Sequence, residues 1–470
     1  MSKKLKIWKK ALLCGAAALF TSNVYAQSQI IAPFKNGDKV AFVGNSITDG
    51  GHYHSYIWLY YMTHFPDMRI TCYNVGIGGD VAKQIARRFD DDVLRRNPTV
   101  VTLTWGMNDT GYFEWFYPNA EQTFKTRLDT SIKYYREIEG KLLKRRNIRP
   151  IIIASSPYDE FTYATPNNIY RGKSAALLKV AEFQEQAARK NNWDFVDFNR
   201  PMTEINKREQ VKNPTFSLTP NDRIHPDNDG HMVMAYLFLK DQGLTNKPVA
   251  DVEVDAANKK VLKADNCKII KLNANAGDIS FDYLAKSLPY PLDTVSHGWG
   301  NKKRQAEAVK IVPIMQELDR EMLTVKNLQA GNYNLLIDGE KIGVWPADQF
   351  AKGINLAEQT GTPQYQQAMQ IMQMNEERWE LERRLRNHAF IEYNVLMQRG
   401  LLHADNRAAM DTVNLLARKD PFVAGNQPTY TLSQYKTVRE AWQQEQNVLL
   451  DEIYRINKPV SHKITISRIN

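Results

Sequence analysis

Short runs of β-branched and apolar residues alternate with longer amphipathic stretches over residues 37–244. The strand-like runs share continuous apolar character and lie at residues 39–43, 70–75, 100–105, 150–154 and 195–198. Such runs are typical of strands buried on both faces. The stretches with helical spacing lie near residues 81–96, 121–146, 172–191 and 230–240. This alternation predicts the α/β class, with a parallel sheet covered by helices on both faces.

Four polar segments carry the candidate functional residues, and three of them directly follow predicted strands. An open α/β sheet binds its ligands beyond the carboxyl ends of its strands. Residues 44–50, Gly-Asn-Ser-Ile-Thr-Asp-Gly, place Ser46 on a tight strand-to-helix turn. Residues 74–80 are rich in glycine, which lets the backbone approach a ligand closely. Residues 106–109, Gly-Met-Asn-Asp, offer a side-chain amide, and residues 222–226, Asp-Arg-Ile-His-Pro, lie just before the last helix.

Each segment has an ordinary structural explanation by itself, because serine turns, glycine turns and Asp-x-x-His pairs are common. Their combination supplies a nucleophile in Ser46, a base in His225, an aspartate three residues before it in Asp222, and an amide in Asn108. Acyl transfer requires this set of groups. The sequence therefore predicts an enzyme that catalyses acyl transfer.

These segments resemble the conserved blocks of the SGNH hydrolases, the GDSL esterase/lipase superfamily. Gly-Asn-Ser at 44–46 is similar to the first block, with Asn45 where the family name has aspartate. Gly79, with Gly78 beside it, is similar to the second-block glycine. Residues 106–109 and 222–225 resemble the third and fifth blocks. The resemblance covers residues 37–244 and implies a three-layer, flavodoxin-like SGNH fold.

The resemblance also implies a role for each matching residue. Ser46, Asp222 and His225 would form the catalytic triad, and no cofactor or metal is needed. Ser46, Gly79 and Asn108 would form the oxyanion hole.

Aromatic residues crowd the third segment, and two interpretations of them stay open. They could pack in the core, or they could stack on a sugar ring beside the serine. The candidate substrate-binding residues are Trp105, Tyr112, Trp115 and His52. Further aromatic side chains could come from residues 288–291 and 297–300 of the second domain.

The family analogy favours deacetylation of a carbohydrate, so an acylated carbohydrate is the expected partner. Two alternatives remain: a lipase or lysophospholipase of the same fold, and a catalytically inactive carbohydrate-binding module. The oligomeric state does not follow from the sequence.

The remainder of the chain has a different character from residues 27–244. Residues 245–355 are rich in alternating strand patterns, interrupted by a helix near 305–322, and predict a small β-rich accessory domain. Tyr333, Leu335 and Ile337 alternate with polar residues and lead into Asp-Gly, a hairpin signal. Residues 356–470 predict a helical region, with a helix over 432–457 capped by Thr431 or Ser433. A structural cover or an interaction surface is the expected role, and a contribution of residues 245–470 to the pocket stays open.

Residues 1–26 have the pattern of a secretory signal peptide, with five lysines, an apolar run over 11–20 and small residues before Gln27. This segment holds no acidic residue, so its removal lowers the formal charge of +10 to +5. So mild a charge does not indicate nucleic-acid binding. We expect a periplasmic or extracellular protein. The two cysteines outside residues 1–26, Cys72 and Cys267, are expected to be unpaired and largely buried.

Overall fold

The structure, a computed structural model, describes residues 30–274, 278–298 and 300–469. The predicted signal peptide and Trp299 lie outside the described residues.

A parallel sheet forms the centre of the first half of the chain. Its strands are β1 (Lys39–Gly44), β2 (Thr71–Gly76), β3 (Val100–Trp105), β4 (Arg149–Ala154) and β5 (Asp194–Asp197). They lie in the order β2-β1-β3-β4-β5, and every neighbouring pair is parallel. The predicted α/β class is confirmed, because each apolar run forms a strand within one or two residues of its expected position.

Helices cover both faces of this sheet. They are α1 (Ser46–Asp49), α2 (Tyr53–His64), α3 (Ala82–Arg88), α4 (Ala120–Leu143), α5 (Lys173–Asn191), α6 (Asn199–Gln210) and α7 (Asn228–Asp241). Successive residues of β1 point to opposite faces: Val40 and Phe42 join one apolar core, and Ala41 and Val43 join the other. Helices α2, α6 and α7 contribute to the first core, and α3, α4 and α5 to the second.

Helix α2 was not predicted, because it has no polar face. Every residue from Tyr53 to His64 is buried. The helix packs against α7 on one side and against the first helix of the C-terminal region on the other. A helix enclosed in this way is buried all round and carries no amphipathic period.

Two further sheets make up the β-rich part, and they share one apolar core. Their strands are β6 (Ala250–Asp255), β7 (Lys260–Asp265), β8 (Cys267–Ala274), β9 (Asp278–Ala285), β10 (Glu321–Lys326), β11 (Asn332–Ile337), β12 (Glu340–Pro346), β13 (Ile354–Asn355) and β14 (His462–Arg468). The sheet orders are β13-β10-β6-β7 and β12-β11-β14-β9-β8. The predicted hairpin is present between β11 and β12, with Asp338 and Gly339 both at positive φ.

Two expectations for this part were wrong. No helix spans 305–322: a 3₁₀ turn (Gln305–Lys310) and the short helix α8 (Ile314–Glu317) precede β10. Pro313, between the two turns, interrupts the backbone hydrogen bonding that a continuous helix needs. The region 356–470 is not helical throughout, because it contains the strand β14, which pairs with β9 on one side and with β11 on the other.

Helix α9 (Ala347–Lys352) precedes the C-terminal region. The α-helices of that region are α10 (Pro363–Phe390), α11 (Arg407–Ala417), α12 (Pro421–Ser433) and α13 (Lys436–Ile456). The expected helix over 432–457 is two helices that meet near Gln434. Thr431 and Ser433 therefore lie inside α12 and do not cap α13.

Cys72 and Cys267 are free and buried, as predicted. Within the described residues, no helix combines the length and the apolar character needed to cross a bilayer.

Candidate active site

Ser46 is the first residue of α1, directly after β1. Asn45 caps this short helix, since its side-chain oxygen accepts a hydrogen bond from the Ile47 N–H at 3.1 Å. Gly44 has no room for a side chain, because a Cβ would lie 2.2 Å from Thr48 Oγ1. These contacts fix the serine at the carboxyl edge of the sheet.

Ser46, His225 and Asp222 form a continuous chain of hydrogen bonds. His225 Nε2 lies 2.8 Å from Ser46 Oγ, and His225 Nδ1 lies 2.5 Å from Asp222 Oδ2. The other Asp222 oxygen accepts the backbone N–H groups of Ile224 and His225. Burial alone would raise the pKa of Asp222, but these hydrogen bonds outweigh it and hold that pKa below its ordinary value. The carboxylate is therefore ionised and can orient the imidazole.

Arg223 fixes the turn between the aspartate and the histidine. Its backbone is left-handed, with φ of 70°. Its buried guanidinium donates to the carbonyls of Asn167, Asp159 and Thr165. These contacts tie the turn to the loop that follows β4.

Two backbone N–H groups near Ser46 are available to a ligand. Gly79 has φ of 81°, a conformation that strains any other residue. The Gly78 N–H is already used, because it donates to Asp49 Oδ2 at 2.9 Å. Within the described part of the chain, the N–H groups of Gly79 and Ser46 have no hydrogen-bond partner. This difference selects Gly79 over Gly78 as the candidate oxyanion donor.

Asn108 brings a side-chain amide to the same pocket. Its Nδ2 donates to the carbonyl of Asp80 at 2.9 Å, which uses one of its two N–H groups. The second N–H can serve an oxyanion held by Ser46 and Gly79. The structure thus brings together all the residues predicted for the triad and the oxyanion hole.

Two of the predicted substrate-binding residues are wrongly placed for that role. Trp105 is fully buried in the core beside Tyr135, because the last residue of β3 points into the helical layer. His52 is also fully buried: it stacks on Trp379 at 3.8 Å and its Nε2 lies 3.2 Å from Glu376. Neither side chain lines the pocket.

Tyr112 and Trp115 have different positions. Tyr112 lines the pocket. Trp115 supports the pocket loop from behind, since its indole N–H donates to the Thr110 carbonyl at 2.9 Å and its ring lies against Gly172. The second domain supplies no lining residue that the structure describes: Tyr290, for example, is buried and bonded to Gln305.

The pocket beside Ser46 has a volume of about 880 Å³ and is lined in part by the C-terminal helical region. Its apolar walls come from both parts of the chain: Phe113, Tyr170 and Ile224 on one side, and Phe390, Pro421 and Phe422 on the other. The two arginines of the lining are neutralised, because Arg127 pairs with Glu114 and Arg383 with Glu380. The pocket therefore suits a largely apolar ligand. The helical region therefore contributes to the pocket, one of the roles that the sequence left open.

Helix α10 also holds the loops that carry the site. Glu382 accepts the Asn74 N–H at 2.7 Å, and the Trp379 indole donates to the Gly51 carbonyl at 3.2 Å. Arg386 donates to the Gly76 carbonyl at 2.9 Å. The helix is thereby bonded to β2 and to the segment between α1 and α2.

Comparisons with known proteins decide the family. A sequence model of the GDSL-like lipase/acylhydrolase family matches residues 42–233. A solved structure, described as a gut microbial diltiazem-metabolizing enzyme, is 47% identical and covers 94% of this chain and 100% of its own, with a TM-score of 0.92. The chain belongs to the GDSL-like lipase/acylhydrolase family. The predicted resemblance to this family is confirmed.

As a GDSL-like acylhydrolase, the chain is a carboxylic ester hydrolase. Residues 369–458 match a second family, the diltiazem deacetylase C-terminal helical domain. An acetylxylan esterase from Geobacillus stearothermophilus is 25% identical over 224 residues, which are 44% of this chain and 95% of that protein.

Sequence reasoning missed the pocket residues of the helical region. Phe390 and Phe422 lie more than 300 residues after Ser46 in a part of the chain that has no motif. The sequence does show how α12 begins, because Phe422 follows the capping Asp420 and Pro421. The structure adds that the Phe422 side chain is 70% exposed. Nothing in the sequence indicates that this GDSL-like acylhydrolase places that ring above Ser46.

Asp49, one turn after Ser46, is a buried carboxyl in the pocket wall. Burial raises its pKa to about 6, although the nearby Arg386 opposes the shift. An unfolded aspartate titrates near pH 4. The stability that this group contributes is therefore complete below about pH 4 and is lost as the pH rises through about 6.

The substitution Asp49→Asn should remove this loss, because asparagine cannot ionise and its oxygen can still accept the Gly78 N–H. We expect the variant to be more stable than the parent at pH 7.5, by about 2 to 3 kcal/mol, and equal to it near pH 4. Urea unfolding between pH 4 and 8 measures the difference. Parallel stability curves for the two proteins would contradict the assignment.

Proposed function

We propose that the protein is a serine esterase in which Ser46 is the nucleophile, His225 the general base and Asp222 the residue that orients His225. The observation that carries the proposal is the hydrogen-bonded chain from Ser46 Oγ through both nitrogens of His225 to Asp222. A serine hydroxyl is a weak nucleophile until an adjacent base removes its proton. His225 provides that base, because its Nε2 lies 2.8 Å from Ser46 Oγ.

The reaction proceeds in two halves. Ser46 Oγ attacks the ester carbonyl while its proton passes to His225 Nε2, and Asp222 stabilises the imidazolium. The N–H groups of Ser46 and Gly79 and the Asn108 amide bind the oxyanion. His225 then gives the proton to the departing alcohol, which leaves an acyl-serine. Water, activated by His225, attacks the acyl-serine and releases the acid.

The acyl group of the proposed substrate is acetyl, and the alcohol is bulky and apolar. The similar solved structure is described as a diltiazem-metabolizing enzyme, and the family that matches the helical region is named for a diltiazem deacetylase. The acetylxylan esterase supports the acetyl group independently. A bulky alcohol suits the pocket, because its volume is about 880 Å³ and Tyr170 and Phe422 are among its aromatic lining residues.

A carbohydrate is the second candidate for the alcohol. The acetylxylan esterase supports it, and the apolar face of a sugar ring can stack on the same aromatic side chains. That relative matches only 44% of this chain, whereas the helical wall of the pocket belongs to the part shared with the diltiazem enzyme. We therefore favour the apolar alcohol.

Kinetics of the purified protein on two sets of substrates test the proposal. In a series of 4-nitrophenyl esters from acetyl to dodecanoyl, we expect kcat/KM to be greatest for acetyl. Between diltiazem and an acetylated xylo-oligosaccharide, we expect the higher kcat/KM for diltiazem. A preference for long acyl chains would favour the lipase alternative, and a preference for the oligosaccharide would favour the carbohydrate candidate.

Phe422 gives a prediction for the alcohol side. The change Phe422→Ala should lower kcat/KM for diltiazem about fivefold to tenfold, because an aromatic contact is worth about 1 kcal/mol beyond the buried area. Hydrolysis of ethyl acetate, whose alcohol is too small to reach this ring, should change less than twofold. The side chain is 70% exposed, so the variant should fold normally. Equal losses on both substrates would show that Phe422 does not contact the alcohol.

We also propose that residues 1–26 direct export. The lysines, the apolar run and the small residues before Gln27 support this proposal. Fractionation of cells that express the full chain, with N-terminal sequencing of the exported form, tests it: cleavage before Gln27 is expected, and retention of Met1 in the cytoplasm would refute it.

A further inference from the structure

The side-chain amide of Asn108 is held at both ends. Its Nδ2 donates to the Asp80 carbonyl at 2.9 Å, and its Oδ1 accepts a hydrogen bond from the Tyr112 hydroxyl at 2.5 Å. Oδ1 has no other hydrogen-bond partner within the described ranges. The two contacts together distinguish the nitrogen end of the amide from the oxygen end.

The main chain around Asn108 is held without the Tyr112 hydroxyl. The buried Lys173 ammonium donates to the Met107 carbonyl at 2.7 Å, and to Thr110 Oγ1 and the Gly111 carbonyl at 2.6 Å each. These bonds hold the turn at residues 107–111 in place. The hydroxyl therefore acts on the amide side chain and not on the path of the backbone.

Arg127 holds the same turn from the outer side. Its guanidinium donates to the Asn108 carbonyl at 2.9 Å and to the Asp109 carbonyl at 3.0 Å. The Asp109 carboxylate in turn accepts the backbone N–H of Gly106 at 2.9 Å and of Ala82 at 2.9 Å. Removal of one phenolic oxygen leaves all of these contacts in place.

The orientation of this amide decides whether it stabilises or opposes an oxyanion. With Nδ2 towards the pocket, Asn108 offers an N–H donor to the developing negative charge. With the amide turned by 180°, its carbonyl oxygen would face that charge and repel it. In the turned arrangement the amide oxygen would face the Asp80 carbonyl, which can only accept, and the Tyr112 hydroxyl would lose the acceptor to which it now donates.

We propose that Tyr112 is a positioning residue for the ester hydrolysis: its hydroxyl donates to Asn108 Oδ1 and so keeps the Nδ2–H donor directed at the oxyanion. The inference rests on the proposed function, in which Asn108 is an oxyanion donor. Donation to the carbonyl end also polarises the amide, which strengthens its N–H as a donor.

The surroundings of Tyr112 keep its hydroxyl a donor. Burial raises the pKa of this phenol above its ordinary value, so it retains its proton at every pH at which a histidine base works. The ring is fixed by the Lys173 ammonium, 4.0 Å from its centroid, and by an edge-on contact with Tyr170 at 5.7 Å. Both contacts involve the ring and are retained in phenylalanine.

A double-mutant cycle on 4-nitrophenyl acetate tests the proposal. The change Tyr112→Phe should lower kcat about tenfold and leave KM within twofold, the effect of one hydrogen bond that acts on the transition state. The change Asn108→Ala should lower kcat on the order of 10²- to 10³-fold. Because Tyr112 acts through Asn108, adding Tyr112→Phe to Asn108→Ala should cause no further loss.

The control is Tyr135→Phe, which should leave kcat unchanged. Tyr135 lies in the second apolar core, and its buried hydroxyl has no hydrogen-bond partner among the described residues. Thermal unfolding of each variant checks folding, and Asn108→Ser replaces the alanine if that variant is unstable. A tenfold loss from Tyr112→Phe in the Asn108→Ala background, or a loss confined to KM, would overturn the proposal, since the hydroxyl would then contact the substrate directly.

Failure of the proposed function has a different result. If Asn108→Ala retains full kcat while Ser46→Ala is inactive, the oxyanion role of Asn108 is wrong, and the positioning role of Tyr112 is wrong with it. If Ser46→Ala retains activity, the serine mechanism itself is wrong.

Discussion

The change Ser46→Ala should reduce kcat for 4-nitrophenyl acetate on the order of 10⁴- to 10⁶-fold, with the fold intact. The serine oxygen is the atom that forms the acyl intermediate, and alanine offers no substitute. Ser46 Oγ makes one side-chain hydrogen bond, to His225 Nε2, so its removal leaves the structure of α1 unchanged. The measurement is steady-state kinetics, with active-site titration of the parent protein to exclude contaminating esterase.

The control for this prediction is Ser156→Ala. Ser156 is buried just after β4 and its hydroxyl has no hydrogen-bond partner among the residues that the structure describes, so the change should leave kcat within twofold. A second variant, Ser46→Ala with His225→Ala, should be no slower than Ser46→Ala alone, because residues of one triad act as a unit. Activity of Ser46→Ala within tenfold of the parent protein would refute the nucleophile.

The change Arg386→Met should lower the free energy of unfolding by about 3 to 5 kcal/mol, the usual cost of removing one partner from a buried ion pair. Arg386 is almost fully buried and bonds to both oxygens of Asp92, at 2.9 and 2.8 Å. Burial opposes ionisation of Asp92, but Arg386 and the neighbouring Arg88 outweigh it and hold its pKa far below the ordinary value. Methionine would fill part of the volume and leave this carboxylate with less compensation.

Chemical unfolding at pH 7 measures this prediction, with Arg455→Met as the control. Arg455 pairs with Glu452 on the exposed face of α13, and an exposed pair is worth less than about 1 kcal/mol. Because the lowered pKa of Asp92 stabilises the fold only when the carboxylate is ionised, the parent protein should lose this contribution as the pH falls into the acid range. Equal unfolding midpoints for Arg386→Met and the parent would contradict the prediction.

The catalytic core could be predicted from the sequence because its signals are local. A strand buried on both faces is apolar along its whole length, as β3 and β4 are, and the residues after parallel strands must meet at one edge of the sheet. Ser46 and Asn108 therefore came together as expected. The choice between Gly78 and Gly79 needed the structure, because only the direction of each N–H separates them.

The parts that could not be predicted depend on contacts between distant segments. Helix α2 is buried on all sides because α10, 310 residues later, covers its outer face. Trp105 and His52 adjoin the motifs in sequence but point away from the pocket into packed interiors. The wall that Phe422 forms has no counterpart in the motif pattern, since it depends on how the helical region docks.

The strand β14 lies in the middle of the second five-stranded sheet, between β9 and β11, although it is synthesised after the whole helical region. On the ribosome, β9 and β11 must therefore wait with unpaired edges while more than 120 further residues are made. Exposed strand edges promote aggregation. A chain truncated before residue 462 would leave this sheet divided into two hairpins, so proteolysis should remove such fragments, and only a chain that contains this strand should escape degradation.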